Sequence, residues 1–240
     1  MNLKKIVLVA FAFSLVFNNL GMAQETRTKE ASIEELYLSN PALRIAYDAS
    51  RSDDRESKLL AISQLNELLE KGLSPRDEEQ VTVILNDLAS QGTLIVIREK
   101  GRLMNYFADV RREACRVLSL IKSQEAKKKA VKILINILNV DDDPLVKAQA
   151  ASSLGAIGLN ENEDAARAIA NALDSQDKIA PNDNLAYTAM IAFEKLAKAN
   201  NGIYAPEVSR IVVRIIQGNY KRVVKEKATE VLELLRSYRK

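Results

Sequence analysis

Residues 143–158 read DPLVKAQAASSLGAIG, and the placing of Val146, Ala150, Leu154 and Ile157 within that stretch decides the fold. The spacing i, i+4, i+8, i+11 puts these four side chains at about 0, 40, 80 and 20 degrees round a helix of 3.6 residues per turn, as one narrow apolar stripe. The same spacing recurs upstream as Ser57, Ala61, Leu65, Leu68 and as Val110, Ala114, Leu118, Ile121. Downstream it recurs as Leu185, Ala189, Phe193, Leu196 and as Val224, Ala228, Leu232, Leu235. Five one-sided helices that bury their stripes on their neighbours predict an all-α solenoid, an architecture that mostly binds other macromolecules.

Punctuation between the stripes supplies the remaining helices. Ser32 with Glu35 forms a capping box, and Asn40-Pro41 a cap followed by a first-position proline, so residues 24–50 read as a mobile leader and an N-terminal helical cap. Helices follow over 54–71, closed by Gly72, and over 75–90, opened by Ser74. Asp109 caps the next helix and Ser123 the one after it, which runs to about Asn139. Pro144 starts a third pair whose second helix covers 163–174; helices over 185–199 and 206–217 form a fourth, and 221–238 ends the chain. Residues 51–240 thus hold about four and a half pairs. Stripe starts are 36, 39 and 39 residues apart from Val110 onward, but 53 separate Ser57 from Val110, so something is inserted at about 93–108. There Leu94-Ile95-Val96-Ile97, a polar turn ending in Gly101, and Leu103, Met104, Tyr106, Phe107 read as a short hairpin or structured loop, with an irregular extra helix as the alternative.

The first residues read as a secretion signal over 1–23: Lys4 and Lys5, an apolar run from Ile6 to Phe17, then Gly21-Met22-Ala23. The run is too short for a bilayer core of roughly 30 Å, so no integral membrane span is expected after cleavage. The expected location is the periplasm or cell envelope, or outside the cell. Removing residues 1–23 takes two lysines from the 35 basic side chains and leaves 32 acids untouched, so no field for nucleic acid remains. Histidine is absent, which removes the commonest metal ligand and general base. No cofactor is implied. Cys115 has no partner within the chain and reads as a small, partly buried thiol, with an intermolecular or redox role as the rarer reading.

The stretch from Asp143 is similar to the first helix and turn of HEAT repeats, especially the short type named after phycobiliprotein lyases. Asp109 to Ile121, DVRREACRVLSLI, looks like a second copy; the copies from Leu185 and Val224 are looser, and that from Ser57 lacks the valine-basic opening of Val110-Arg111 and Val146-Lys147. The resemblance covers roughly residues 54–240. It implies a noncatalytic scaffold or adaptor that binds a protein partner along the concave row of second helices. Enzymes carrying the repeat do not fit: hydroxylases of this type need His-Glu ligands, bilin lyases need their acceptor in the same compartment, and glycosylases need a basic groove.

Aligning the second helices on Leu88, Leu138, Leu173 and Ile216 brings Asn86, Asn136, Asn171 and Arg214 into one register, and Thr82, Lys132, Arg167 and Arg210 into another, four residues earlier. The two registers predict a polar ladder along the concave face, able to hold an extended or acidic segment. Solvation of an exposed face is the competing reading. Tyr106 and Phe107 of the insertion are the second candidate contact, or else a seal between the first and second pairs. An enzyme or ligand carrier with a pocket near 93–108 is the alternative function. Acids in first turns, Glu78, Glu79, Glu163, Asp164 and Glu207, are accounted for by the helix dipole alone.

Overall fold

A computed structural model describes residues 40–239; the expected signal and the Ser32–Glu35 capping box lie outside the described residues. Ten α-helices occur among them: α1 Pro41–Ser50, α2 Arg55–Lys71, α3 Pro75–Ala89, α4 Ala108–Leu118, α5 Gln124–Val140, α6 Pro144–Ile157, α7 Asp164–Ile179, α8 Asp183–Ala199, α9 Pro206–Gln217 and α10 Arg222–Ser237. The insertion between α3 and α4 contains a hairpin, β1 Arg98–Glu99 paired antiparallel with β2 Arg102–Leu103. Its turn residues Lys100 and Gly101 both have positive φ, 46° and 81°, which suits a two-residue connection between right-twisted strands.

Local chemistry sets about a third of the helix ends. Asn40, Asp54, Ser74, Asp143 and Asn182 each accept a first-turn backbone N–H, and Gly72 and Gly158 end α2 and α6 with φ of 92° and 76°. Three expectations need correcting. Ser123 stands at the cap position of α5, but its hydroxyl makes no capping bond. Asp109 does not cap α4, which starts one residue earlier behind Phe107; it sits in the first turn and pairs with Arg55 of α2. Helix α7 continues past Asp174 to Ile179, because nothing before Pro181 breaks it and Lys178 forms an i, i+4 ion pair with Asp174.

The striped helices α2, α4, α6, α8 and α10 lie side by side in one row, and α1, α3, α5, α7 and α9 form a second row against it. Of the two second-row helices next to it in the chain, each striped helix packs more on the one that precedes it than on the one that follows, while α6 and α8 pack most extensively on each other. Pairing each striped helix with the one after it, as the short turns suggest, is therefore not what the packing does. A short link tethers two helix ends without making their lengths lie together. All stripe residues except Ser57, Leu68, Ile157 and Leu232 are buried, and each buried leucine or phenylalanine contributes about 1.5–3 kcal/mol.

Polar ties link successive repeats. Glu78, 3% exposed, accepts from the Lys122 N–H at 3.1 Å and the Ser123 N–H at 2.6 Å, satisfying donors at the start of α5. Asp183 does the same for the Lys221 N–H at 2.8 Å, and Glu163 accepts from the Tyr204 N–H. Glu79 pairs with Lys129 and Glu207 with Arg167. Among these first-turn acids, Glu78, Glu79, Glu163 and Glu207 have partners in a neighbouring repeat, so the dipole of their own helix is not their whole explanation.

Candidate functional site

The ladder residues lie on α3, α5, α7 and α9, which are consecutive neighbours in the second row. Lys132, Asn136, Arg167, Asn171, Arg210 and Arg214 are exposed, and Asn86 is half-buried. Thr82 is not part of the ladder: it is 1% exposed and its hydroxyl donates to the Glu78 carbonyl at 2.8 Å. On α3 the exposed position is Val83 instead, one residue on and about 100° round the helix. Asn171, Arg210 and Arg214 line one small depression between α7 and α9, together with Asp174 and Glu207.

Electrostatics divide the ladder. Arg214 pairs with Asp174 across the row, and Arg167 stands 3.8 Å from Glu207. Hydrogen bonds from Lys178 and Arg214 hold the Asp174 carboxyl below the usual carboxylate range. Lys132 and Arg210 have no ion pair among the described residues. These pairs are solvent-exposed, so exchanging them for an incoming carboxylate costs little, about 0–1 kcal/mol each.

The insertion rests on a buried polar assembly that the sequence reading did not single out. Arg111 of α4 is fully buried and forms a two-point ion pair with Asp141, Nε to Oδ2 at 2.7 Å and Nη2 to Oδ1 at 3.1 Å. Its Nη1 donates to the Gln91 carbonyl at 3.2 Å, and its guanidinium lies 4.4 Å from the Tyr106 ring centre. Burial works against the charge, but the Asp141 carboxylate more than offsets it and raises the Arg111 pKa. Asp141 Oδ1 also accepts from the Asp143 N–H at 2.9 Å, and Tyr106 donates its hydroxyl to Asp142 at 2.6 Å. Two signals in the chain could have revealed this: the basic residue after Val110 and the acids before Pro144. Phe107 is half-buried against the core, and Tyr106, although stacked on Arg111, is the more exposed of the two aromatics.

A cavity of about 490 Å³ lies beside the hairpin, lined by Asp53, Lys58, Gln91, Ile97, Arg98, Glu99, Met104 and Asn105. Lys58 is buried, and burial lowers its pKa against the opposing field of Asp53; its Nζ is engaged with the Ser50 carbonyl at 3.1 Å. Among the described residues no group of three or more Cys, Asp or Glu could hold a metal ion, and no helix is long and apolar enough to cross a membrane. Cys115 is fully buried, which pushes its thiol pKa far up and leaves little thiolate. Native chain treated with iodoacetamide at pH 8 is expected to stay unlabelled for hours by mass spectrometry, and to be labelled within minutes in denaturant. Rapid native labelling would contradict this burial.

Two stacked rows of helices with polar ties between repeats define an α-solenoid of the class that works by presenting a surface. Residues 102–190, from β2 into the first half of α8, match the family model for HEAT repeats. HEAT repeats generally mediate protein–protein interaction, and the fold is typically a noncatalytic scaffold. No curated protein matches the chain.

Proposed function

We propose that the chain is exported to the periplasm or cell envelope, loses residues 1–23, and acts there as a noncatalytic scaffold for a protein partner. The partner lies along the second row, where Lys132, Asn136, Arg167, Asn171, Arg210 and Arg214 point outward from three successive helices. That shared exposure supports the reading most directly. An extended acidic segment suits it, since Lys132 and Arg210 are free to accept carboxylates and asparagine side chains beside them can donate and accept. A preformed helical stack contributes its contacts with little ordering cost.

The deciding experiment is capture of envelope proteins on the immobilised mature chain, compared with a Lys132→Glu, Arg210→Glu variant. These two cations are the informative ones, because Arg167 and Arg214 already hold acids of their own. Loss of a captured partner with unchanged circular dichroism is expected. An identical captured set would remove the ladder from the proposal. The cavity beside the hairpin favours a second reading, a ligand carrier, and mass spectrometry of a small molecule co-purifying with the native chain would support it.

A further inference from the structure

The insertion around the hairpin carries six of the fifteen large apolar side chains that are exposed among the described residues: Leu94 at 55%, Ile95 at 40%, Val96 at 47%, Ile97 at 46%, Met104 at 46% and Tyr106 at 38%. The other nine are scattered over eight helices and a loop. Four consecutive exposed aliphatics are unusual on a monomer and mark a contact surface.

Main-chain geometry says what kind of contact. Ile95 and Ile97 turn their peptide groups inward. The Ile95 N–H donates to the Ser90 carbonyl at 3.1 Å, and its carbonyl accepts from the Gly92 N–H at 2.8 Å and from Asn105 Nδ2 at 2.6 Å. The Ile97 N–H donates to Asn105 Oδ1 at 2.9 Å, and its carbonyl accepts from the Met104 N–H at 2.9 Å. With a period of two from Ile95 onward, the peptide groups of Val96 and Arg98 face the open side, and Leu94 ends the turn just before them. Neither Leu94 nor Val96 has a backbone hydrogen bond among the described residues. The edge is also held still. Asn105 is 4% exposed and bonds Gln91 as well, and Gln91 is held by Arg111. A Cβ at Gly92 would stand 2.7 Å from the Asn105 carbonyl oxygen, so the base of the hairpin closes only with glycine there.

We propose that the Leu94–Arg98 edge receives an extended segment of a partner protein as an added β-strand, apolar at alternate positions and acidic where it passes the hairpin tip. This rests on the reading of the chain as a protein-binding scaffold and gives it a second, separate contact. Main-chain bonds to the open edge supply affinity, and alternate side chains meeting Leu94 and Val96 supply specificity. The acid is required by the tip, where Arg98, Lys100 and Arg102 outweigh Glu99. A second copy of the hairpin fits worse: antiparallel pairing about Val96 sets Arg98 against Leu94 and brings no acid to the tip. A bilayer fits worse too, because insertion would carry unpaired N–H and C=O groups into hydrocarbon.

The test uses the ¹⁵N-labelled mature chain and a synthetic nine-residue peptide of alternating valine and threonine ending in two aspartates. The Leu94, Val96 and Arg98 amides are expected to shift, and their exchange with solvent to slow at least tenfold. Val96→Pro removes an outward donor without touching the inward bonds and is expected to weaken binding at least tenfold. Arg98→Glu, on an exposed side chain, leaves two cations against two acids at the tip and is expected to abolish the preference for this peptide over one ending in two lysines, which keeps the test open if the proline variant unfolds. Each of three results would overturn the proposal: no shift at these amides in millimolar peptide, equal binding by folded Val96→Pro, or a dimer on sedimentation that Val96→Pro abolishes. Binding to anionic vesicles without slowed amide exchange would do the same. The ladder capture assay is read on other residues, so either idea can fail alone.

Discussion

Arg111→Ala will lower the unfolding free energy by about 3–5 kcal/mol, the cost of leaving a buried charge without its partner. The residue is fully buried and so is the Asp141 side chain it holds, hence no water replaces the lost bonds. The effect should spread from α4 in two directions. Asp141 also fixes the turn into α6 through the Asp143 N–H, and Arg111 fixes the hairpin through Gln91. Urea unfolding gives the magnitude, and hydrogen exchange at Ile95, Ile97 and Met104 gives the spread. Arg111→Met with Asp141→Leu should lose clearly less than Arg111→Ala, because nothing charged is then stranded. Equal losses in the two variants would show that packing volume, not the orphaned carboxylate, sets the cost.

Gly155→Leu is the second large expected loss, about 3 kcal/mol or more, with a fall in melting temperature of roughly 6–12 °C. Gly155 lies where α6 crosses α8, and even a Cβ there would stand 2.8 Å from Ala192 Cα and 3.1 Å from its Cβ. The sharper comparison is Gly155→Ala. In an exposed helix that change gains about 1 kcal/mol of helix propensity. Here the new methyl meets main chain that can yield only if two helices separate, so a net loss is expected. Thermal unfolding of the three chains side by side decides it, and a stabilised alanine variant would mean the crossing is looser than the distances imply.

Much of the scaffold was legible in the chain because it rests on local rules. The stripes, the caps at Asn40 and Ser74, and the first-position prolines each depend on residues within one or two turns. The candidate site was legible in part. Lys132, Arg167 and Arg210 share an exposed row because α5, α7 and α9 repeat with the same phase. Thr82 fell out because α3 is turned by about 100° relative to the shared register. A sequence alignment on one core leucine carries no information about that rotation, which the packing of the whole row sets.

The insertion shows the same limit more plainly. Its glycine-ended turn announced a hairpin, but nothing local told that Leu94 to Ile97 would face solvent, since a β-branched run reads equally well as a buried strand. Nor could Glu78 be separated from an ordinary first-turn acid, because its two donors lie more than forty residues away on Lys122 and Ser123.

Helix identity and repeat number were thus determined by the chain alone, since the 3.6-residue period and the capping bonds act between near neighbours. Which helix lies against which, which acids tie repeats together, and which strand edge stays open were decided only in three dimensions. Those outcomes depend on side chains distant in sequence competing for the same contact, and the competition is settled by packing.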